Sequence, residues 1–407
     1  MELSIAAKVM SAGFAIALIM GAVVQRTGFC TMGGVSDLVN MGDRGRIAAW
    51  LLAIAVAMLG VVALQAGGLV DMSMTAANDT SQPPYRVPMF VWPRYLLGGL
   101  LFGIGMTLGS GCGNKTVVRL GGGNLKSLFV LAMIGLGAYL MMFTNFGYNV
   151  FLQWMNPVAI NFADYGVASQ DVGSLAAATV GADPLRGQLV AGVVIGLALL
   201  VYAFRQRELR GSFDNLLGAF TVGLAVTALW YVTAGELGQA WLDESSWLEI
   251  RPLAVGAQSI TFISPPGQLV NYLAQGGKAS LVTLGMVVIL GVAVGALLHA
   301  LISRTFRFEW FVDLRDFAYH IVGGLLMGVG GVLAMGCTIG QGITGTSTLA
   351  LGSFLALVSI ILGSALALKV QYYKLVYEEE AGFTAALLTA LVDLHLLPKG
   401  MRRLAAV

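Results

Sequence analysis

Long apolar stretches alternate with short polar connections along most of this chain. Crossing a bilayer as a helix takes about 20 predominantly apolar residues. The pattern predicts nine membrane-spanning helices, at 9–25, 47–70, 93–110, 126–146, 187–204, 214–232, 279–303, 318–336 and 349–369. The chain is therefore predicted to be an all-α integral membrane protein.

The connections between these spans are of two kinds. Two longer segments, 147–186 and 233–278, contain Pro, Asp and Trp, and we expect them to be loops on the outer face. Three shorter segments follow the first, third and eighth spans. They are rich in Gly, Ser and Thr and contain the three cysteines of the chain. They are too short to span and too apolar for plain loops, which favours re-entrant hairpins.

Two segments 225 residues apart are near copies of each other. Gly98–Cys112 reads GGLLFGIGMTLGSGC and Gly323–Cys337 reads GGLLMGVGGVLAMGC, with nine of fifteen positions identical. The pattern predicts a first repeat at 1–146, an outer loop and linker span at 147–213, an inverted second repeat at 214–369, and a cytoplasmic helix and tail at 370–407. The alternative is an old duplication that has no functional symmetry.

Composition and charge fix the class and the expected orientation. The chain is 57% hydrophobic and 11% charged, with a mean hydropathy of +0.82. With the N-terminus outside, 17 of the 23 Lys and Arg residues fall on the inner side and 6 on the outer side. Positive charge accumulates on the cytoplasmic side, so we expect a multi-pass protein of the bacterial inner membrane with a cytoplasmic C-terminus. The lipid bilayer is an expected partner and nucleic acid is not.

The candidate chemistry centres on the cysteines. Cys30, Cys112 and Cys337 each follow a glycine within two residues and stand just before small or hydroxyl residues. No CxxC spacing is present and the three histidines are dispersed, so we expect no metal site and no disulfide framework. The sequence also contains no Walker A, GxSxG or HExxH motif. We therefore expect neither a cofactor nor an enzyme.

Thiols in a narrow pore suit a soft ligand, and backbone N–H groups freed by glycine turns suit negative charge. Together they indicate a pathway for a small anion with a sulfur end and an oxygen end. The alternative is that the cysteines are small buried apolar residues, and that Lys115 only follows the positive-inside rule. The predicted pathway residues are Cys30, Cys112, Cys337, Gly111, Gly113, Gly336, Thr338, Gln341 and Lys115.

The cysteine-bearing stretches resemble the YeeE/YedE family of membrane proteins, whose characterised members take up thiosulfate. The similar stretches are Gly21–Gly34, Gly98–Asn124, Ser259–Gly267 and Gly323–Gly345. The resemblance implies inverted repeats with nine spanning helices and an ion that passes along a row of thiols near the midplane. Cys112 and Cys337 match the paired Gly-Cys positions of the family, and Cys30 matches the N-terminal cysteine of the first repeat.

The chain departs from some relatives in one region. They have a fourth cysteine after the first helix of the second repeat, where this chain has Leu229–Gly235 with no thiol. A thiol relay would then be incomplete, or would use Thr233 or an aromatic wall. No C-P-x-P sulfur-carrier domain is fused to the chain, so an acceptor would be a separate cytoplasmic sulfur-carrier or sulfurtransferase protein. The alternatives to a thiosulfate permease are a transporter of another sulfur or selenium species and a membrane thiol protein that relays sulfur.

Overall fold

The computed structural model describes residues 4–377 and 382–405, and nearly all of its regular structure is helical. The helices are α1 Ile5–Thr27, α2 Thr31–Met41, α3 Gly45–Ala66, α4 Trp92–Leu108, α5 Gly113–Gly121, α6 Lys126–Phe143, α7 Gln153–Met155, α8 Val172–Val180, α9 Pro184–Arg205, α10 Arg207–Arg210, α11 Phe213–Ala234, α12 Glu236–Ser246, α13 Ser264–Ala274, α14 Leu284–Ile302, α15 Leu314–Leu333, α16 Leu351–Val376 and α17 Phe383–Asp393. Two short strands, β1 Met89–Phe90 and β2 Ile160–Asn161, pair antiparallel. Single 3₁₀ or π turns occur at Met72–Ala76, Tyr148–Leu152, Asn156–Val158, Phe162–Tyr165, Ala279–Leu281, Gly340–Gly345 and Lys399–Met401.

The prediction of nine spans is confirmed, and the protein is a multi-pass membrane protein. In the described residues, nine helical stretches are long and apolar enough to cross a membrane, and they contain α1, α3, α4, α6, α9, α11, α14, α15 and α16. The largest boundary difference is in α16, which ends at Val376 rather than at 369. Val370 and Tyr373 are buried against Ala386 and Ala390 of α17, which extends the helix. Part of the predicted tail, residues 378–381 and 406–407, lies outside the described residues.

Side-chain caps set where several spans begin. The side chains of Ser4, Asp183 and Thr283 accept hydrogen bonds from backbone N–H groups in the first turns of α1, α9 and α14. Such caps satisfy N–H groups that have no partner within the helix. α1 ends at Gly28, whose φ of 63° lies in the left-handed region that favours glycine. These signals explain why sequence-based boundaries agree with the structure to within a few residues.

The long helices run in two directions and define two faces of the molecule. Backbone approaches show that α1 runs parallel to α14, α4 parallel to α16, α15 parallel to α6, and α4 antiparallel to α15. The helices α1, α4, α9, α14 and α16 end at one face. This face carries Arg26 and Arg205 in the last turns of α1 and α9, and we call it the basic face. The helices α3, α6, α11 and α15 end at the opposite face.

Glycines bring α4 and α15 into backbone contact at the centre of the protein. A Cβ atom at Gly330 would lie 2.6 Å from the backbone nitrogen of Phe102, and one at Gly98 would lie 2.5 Å from that of Ala334. Small residues are what permit such close approach between membrane helices. These two helices are the ones that precede Cys112 and Cys337. Their crossing therefore sets the distance between the two cysteine-bearing turns.

The long connections at the opposite face differ from the expected loops. Segment 147–186 contains α7 and α8, and segment 233–278 contains α12 and α13. α13 buries Pro266 and Gly267, and it packs against α6 through a contact in which Gly267 lies against Ala138. Consecutive prolines open α13, where the missing N–H groups cost nothing. Pro265 and Pro266, which lie in a segment predicted to be a loop, therefore mark the start of a helix.

A buried ion pair ties two of these connections together. Arg86 Nη2 lies 3.1 Å from Asp171 Oδ2, and the side chains are 4% and 0% exposed. Asp171 also caps α8 by accepting a hydrogen bond from the N–H of Ser174 at 2.7 Å. The hydroxyl of Ser169 also donates a hydrogen bond to Asp171 Oδ2, at 2.6 Å. The pair therefore fixes the connection before α4 to the connection before α9.

The three cysteine-bearing segments contain short helices. α2 follows Cys30, α5 follows Cys112, and a π turn at Gly340–Gly345 follows Cys337. Each lies between two long helices, as the sequence pattern predicts. That these segments re-enter the membrane, and that the chain consists of two inverted repeats, stay predictions.

The α4–α15 crossing yields the first testable prediction. Replacing Gly330 with Ala should destabilise the protein by about 1–3 kcal/mol, because the new methyl group would overlap backbone atoms of α4 that have no room to move. We expect a lower midpoint of thermal unfolding, measured by tryptophan fluorescence of the detergent-solubilised protein.

Gly211→Ala is the matched control, because a Cβ atom there meets only the carbonyl oxygen of Arg207, at 3.5 Å. An unfolding midpoint for Gly330→Ala equal to that of the control would show that the crossing tolerates a wider separation.

Candidate functional site

Two similar turns end α4 and α15 and lead to Cys112 and Cys337. Ser110 has a φ of 57° and Met335 a φ of 64°, both in the left-handed region. The two residues occupy the same position in the two similar segments, two residues before the cysteine. Non-glycine residues rarely adopt this conformation, and it persists only where the surroundings impose it. The sequence similarity of the two segments is therefore matched by a shared, uncommon backbone geometry.

Each cysteine lies where a new helical segment begins. Cys30 and Cys112 are the residues immediately before α2 and α5, at the N-cap position. The Cys30 sulfur accepts a hydrogen bond from the N–H of Gly33 at 3.4 Å. The Cys337 sulfur accepts one in the same way from Gly340, at 3.3 Å. All three are buried free thiols, so each can still donate its S–H proton.

The predicted cysteines are close together in the fold. The side chains of Cys30 and Cys112 are neighbours, and Thr338 lies against Cys112. Thr338 directly follows Cys337, so the third thiol belongs to the same cluster. The structure thus brings together residues that are up to 307 positions apart in the chain. We call Cys30, Cys112, Cys337 and Thr338 the thiol cluster.

A polar side chain stands within two residues of each cysteine and is buried with no hydrogen-bond partner. These residues are Thr31, Asn114 and Thr338, which are 1%, 1% and 0% exposed. Within the described residues, neither amide atom of Asn114 and neither threonine hydroxyl has a partner. Burying an unpaired polar group costs about 1–3 kcal/mol, so three of them beside three thiols are poorly explained by packing alone. Their hydrogen-bonding capacity is not used by the described residues.

Asn114 and Thr31 were missed by the sequence analysis. Both are short polar residues in apolar surroundings, and both occupy the first turn of the helix that follows a cysteine. The signal that could have identified them is a polar residue one or two positions after a cysteine. Thr338, which was predicted, has the same relation to Cys337.

The predicted glycines provide the space around the thiol cluster. A Cβ atom at Gly113 would lie 3.0 Å from the Cβ of Phe262, and one at Gly336 would lie 3.0 Å from the backbone nitrogen of Gln341. At Gly111 the nearest atoms belong to the side chain of Lys115, at 3.2–3.4 Å. Lys115 therefore lies along the first Gly-Cys turn, and no carboxylate of the described residues lies within 4.0 Å of it.

Gln341 holds the second turn in place. Its Nε2 atom donates to the carbonyl oxygen of Ala334 at 2.5 Å, in the turn that ends α15. Its Oε1 atom has no partner among the described residues, although the side chain is fully buried. One end of the amide is thus structural and the other is free. A role in the pathway, as the sequence predicts, is compatible with this geometry.

Residues 260–264, which were predicted to lie in an outer loop, pass between the turns that lead to Cys112 and Cys337. The hydroxyl of Thr344 donates to the carbonyl oxygen of Ile260 at 2.9 Å, and Phe262 packs against Gly113. α13 begins at Ser264, after Phe262 and Ile263. α2 begins at Thr31, after Phe29 and Cys30, and both helices are 11 residues long. Ile263 thus occupies a position like that of Cys30, with an apolar side chain in place of the thiol.

In the region where some relatives have a fourth cysteine, the polar side chains already form hydrogen bonds within the protein. The Thr233 hydroxyl donates to the carbonyl oxygens of Leu229 at 2.9 Å and Gln258 at 2.5 Å. The indole N–H of Trp230 donates to Ser347 at 3.2 Å. Thr233 therefore has little capacity left for a ligand. Trp230 stacks edge-on with Tyr85, whose burial raises the pKa of its phenol and keeps its hydroxyl protonated.

Two cavities approach the thiol cluster from the two faces. The basic-face cavity has a volume of about 190 Å³ and is lined by Gly109, Ser110, Thr116, Arg119, Asn124, Lys126, Ser127, Glu309, Asp316 and His320. The opposite-face cavity has a volume of about 180 Å³ and is lined by Gln82, Pro83, Pro84, Arg94, Met142, Gln258, Thr261, Ser264, Pro265, Gln268, Gly285, Val332 and Met335. Ser110 and Met335, which line one cavity each, are the left-handed residues of the two turns. Each cavity therefore ends at one cysteine-bearing turn.

The charged residues of the basic-face cavity are largely paired. Lys126 Nζ lies 2.7 Å from Asp316 Oδ2, and His320 Nδ1 lies 3.0 Å from the other oxygen of the same carboxylate. Glu309 accepts a hydrogen bond from the amide of Asn124. Arg119 donates to the carbonyl oxygen of Ser110 at 2.8 Å. The cavity thus mixes both signs of charge next to the first turn.

The site shows no arrangement for a metal. Across residues 4–377 and 382–405, no group of three or more His, Cys, Asp or Glu side chains is placed to hold a metal ion. The thiols, hydroxyls, amide and backbone N–H groups of the site can form hydrogen bonds to a ligand in a closed, apolar setting.

Comparison with known proteins agrees with a membrane transport role. A family model described as "Sulphur transport" matches residues 26–366. The chain is 26% identical over 358 residues to the thiosulfate transporter TsuA of Escherichia coli (strain K12), covering 86% of this chain and 91% of the relative. It is 25% identical over 360 residues to the thiosulfate transporter TsuA of Spirochaeta thermophila, covering 86% and 96%. Since the family model spans most of the chain, including all three cysteines, this protein belongs to the sulphur-transport family and is a transporter rather than an enzyme.

Proposed function

We propose that this protein is a permease for thiosulfate, or a closely related small sulfur anion, and that the anion passes through the thiol cluster. The observation that carries this proposal is the cluster itself. Three buried free thiols stand beside three unpartnered polar side chains, between cavities that reach in from the two faces. The relatives named as thiosulfate transporters support the substrate class.

The donors of the cluster fit the two ends of thiosulfate. Its oxygen atoms are hard acceptors, and the amide of Asn114, the hydroxyls of Thr31 and Thr338, and the N–H groups at the starts of α2 and α5 can bind them. Its terminal sulfur is larger and less tightly hydrated, and it suits the weak S–H donors of Cys112 and Cys337. An anion entering the cluster replaces its water shell with these groups. The pairing also explains why the chain retains buried polar groups that nothing else satisfies.

We infer that the two cysteine-bearing turns belong to inverted repeats that meet at the thiol cluster. Ser110 and Met335 share a left-handed conformation, and α2 and α13 share their length and a phenylalanine two residues before the helix. Helices of the two halves also pack in matching pairs: α4 of the first half packs on α16 of the second, and α15 of the second half packs on α6 of the first. In this arrangement residues 1–146 and 214–369 correspond, and 147–213 connects them.

We propose an inner-membrane location with the basic face in the cytoplasm and import as the direction of transport. Cytoplasmic connections are enriched in Lys and Arg, and the basic face carries most of them in this chain. A separate sulfurtransferase or sulfur-carrier protein on that side would consume the imported anion. Consumption matters because a potential of 100 mV, negative inside, opposes entry by about 2.3 kcal/mol per negative charge.

The second prediction tests the substrate and the role of the thiols. Vesicles containing the purified protein should take up labelled thiosulfate. Excess unlabelled thiosulfate should block this uptake, whereas an equal concentration of sulfate should not. Cys337→Ser should lower thiosulfate uptake by about fivefold, because a hydroxyl is shorter and harder than a thiol and one hydrogen bond contributes about 1 kcal/mol.

Sulfate competing as well as thiosulfate, or a fully active Cys337→Ser variant, would show that the thiols do not recognise the sulfur end. A covalent sulfur adduct on Cys112, detected by mass spectrometry after transport, would favour a sulfur relay instead. Uptake of selenite or sulfite in place of thiosulfate would keep the transport role and change the substrate.

The third prediction separates binding from packing by using two threonines of one segment. Thr338 and Thr346 are both fully buried, but only Thr346 uses its hydroxyl, which donates to the carbonyl oxygens of Gly342 and Ile343. Thr338→Val should raise the unfolding temperature and reduce uptake. Thr346→Val should lower the unfolding temperature, by the loss of a bond of about 1 kcal/mol, and leave uptake near normal.

Uptake assays and thermal unfolding of both variants check this prediction. If Thr338→Val transports normally, the unpaired hydroxyl is a packing feature and does not contact the anion.

The fourth prediction concerns orientation. Single cysteines introduced at Arg207 and near residue 399 should react with a membrane-impermeant thiol reagent only after the cytoplasmic side is opened. A cysteine at Asp243 should react in intact cells that have a permeable outer membrane. Labelling with the reverse sidedness would contradict both the orientation and the proposed direction of import.

A further inference from the structure

The connection between α14 and α15 carries exposed apolar side chains at the basic face. Every second residue from Phe308 to Leu314 is large and apolar, which is the pattern of a segment with two different sides. Phe308, Trp310, Val312 and Leu314 are 61–86% exposed. Apolar side chains exposed together in this way mark a surface that contacts a membrane or another protein. We call these four residues the ridge.

The residues between those of the ridge belong to the wall of the basic-face cavity. Glu309 lines that cavity and accepts a hydrogen bond from the amide of Asn124. The ring of Phe311 lies edge-on to those of Phe317 and His320, with centroids 4.9 and 5.5 Å apart. His320 also lines the cavity. The ridge and the cavity wall are therefore two sides of one segment.

Backbone hydrogen bonds fix this segment to the turn between α5 and α6. The N–H of Arg307 donates to the carbonyl oxygen of Gly122 at 3.1 Å, and the N–H of Leu125 donates to that of Glu309 at 3.0 Å. A Cβ atom at Gly123 would lie 2.5 Å from the carbonyl oxygen of Arg307, so the two backbones are in direct contact. α5 is the helix that follows the first cysteine-bearing turn. A displacement of the ridge would therefore reach that helix.

Three arginines flank the ridge without a carboxylate partner. Arg304, Arg307 and Arg315 are exposed, and no Asp or Glu oxygen of residues 4–377 and 382–405 lies within 4.0 Å of them. The carboxylates of the segment have other positions, Glu309 in the cavity wall and Asp313 as the N-cap of α15. The three guanidinium groups can therefore bind an external anion.

The ridge adjoins the lipid-facing surface of two spans. The end of α14 exposes Leu298, Leu301 and Ile302, and α15 exposes Val322 beyond the ridge. Both helices cross the membrane and the ridge connects them, so it lies near the level where hydrocarbon meets the lipid headgroups. Aromatic and basic side chains are enriched at that level. The surroundings of the ridge thus fit a lipid surface.

We propose that residues 304–315 form a binding site for anionic phospholipid at the basic face. The ridge inserts among the lipid chains, and the three arginines bind the phosphate groups of the lipid, which carry the opposite charge. A soluble partner would require the ridge to project into water, whereas its place between two spans brings it to the bilayer surface. Bound lipid then holds the segment, and with it the wall of the basic-face cavity, in one position.

This site connects the composition of the bilayer to transport. Without the lipid contact, Glu309 and Phe311 lose the support that fixes their side of the cavity, and passage through it should be slower. The dependence of uptake on anionic lipid rests on the proposed function. The binding of the lipid does not, because it follows from the ridge, the arginines and their position.

The test measures thermal unfolding of the full-length protein in detergent with added phosphatidylglycerol or phosphatidylcholine. Phosphatidylglycerol should raise the unfolding midpoint more than phosphatidylcholine, because a ligand of the folded state stabilises it. In the double variant Arg304→Gln/Arg307→Gln, the phosphatidylglycerol concentration that gives half of this rise should increase about fivefold for each arginine removed, which corresponds to about 1 kcal/mol per basic residue. Added NaCl should weaken the response of the wild type.

Two matched controls accompany the test. Arg207→Gln/Arg210→Gln removes the same charge from exposed positions of α10 on the same face, and its response to phosphatidylglycerol should be that of the wild type. Val312→Ser should require severalfold more phosphatidylglycerol, whereas Val180→Ser, at a similarly exposed position at the end of α8, should not.

Equal responses of the wild type to the two lipids, or an undiminished response in Arg304→Gln/Arg307→Gln, would overturn the lipid site. An equal loss in Arg207→Gln/Arg210→Gln would also refute it, because any arginines of the basic face would then suffice. If the wild type does not distinguish the lipids and Val312→Ser converts a dimer into a monomer, the ridge is a contact between copies of this chain instead.

A second readout uses labelled thiosulfate and vesicles made with or without phosphatidylglycerol. Uptake by the wild type should be severalfold faster with phosphatidylglycerol, and Arg304→Gln/Arg307→Gln should transport equally slowly in both kinds of vesicle. Equal uptake by the wild type in both would refute the effect on transport. If wild-type vesicles take up no thiosulfate, the proposed function fails, while the unfolding measurements still decide whether the lipid site exists.

Discussion

Two helices of this protein, α4 and α15, end at turns that lead to buried cysteines, and the backbone groups at those ends need partners where water is scarce. An unpaired carbonyl or N–H group in a bilayer costs several kcal/mol, so helices rarely stop there without compensation. A carbonyl oxygen of the first turn accepts a hydrogen bond from Arg119. Carbonyl oxygens of the second turn accept hydrogen bonds from Arg94 and Gln341. On the N–H side, the groups at the starts of the next helices face the thiols. The need to satisfy a broken helix and the anion binding that we propose thus have the same structural origin.

Glycine makes these breaks compatible with a tightly packed bundle. The backbones of α4 and α15 are in direct contact where the helices cross. This contact fixes the distance and the orientation between the two turns. Ser110 and Met335 then adopt a backbone conformation that few residues tolerate. Such geometry is sustained by the packing around it rather than by the turns themselves. The same packing buries the thiols and leaves their polar neighbours without protein partners.

The sequence predicts the helices well and the site in part. Spans are encoded locally, in runs of apolar residues and in caps such as Ser4 and Gly28, so their number and approximate ends could be read directly. Cys112 and Cys337 were found because they close the two similar segments, Cys30 because its neighbours are similar, and Thr338 because it follows Cys337 in the second predicted hairpin. Asn114 and Thr31 were not, because their significance depends on which hydrogen bonds remain unmade after folding. α13 was taken for part of an outer loop because segment 233–278 contains Pro, Asp and Trp, although Pro265 and Pro266 form the first turn of a helix.

The exchange of helices between the two halves of the chain has a mechanical consequence. α1 packs on α14, α3 on α11, α4 on α15 and α16, and α15 on α6, so every one of these contacts joins the first half to the second. Two bodies that interlock in this way have no hinge about which one could swing, and separating them would break the main backbone contacts of the bundle. In the proposed pathway through the thiol cluster, motions that accompany passage of the anion would be confined to rotamers of the cysteines and to the short helices behind them. Turnover would resemble flow through a narrow filter more closely than the rocking of two rigid domains.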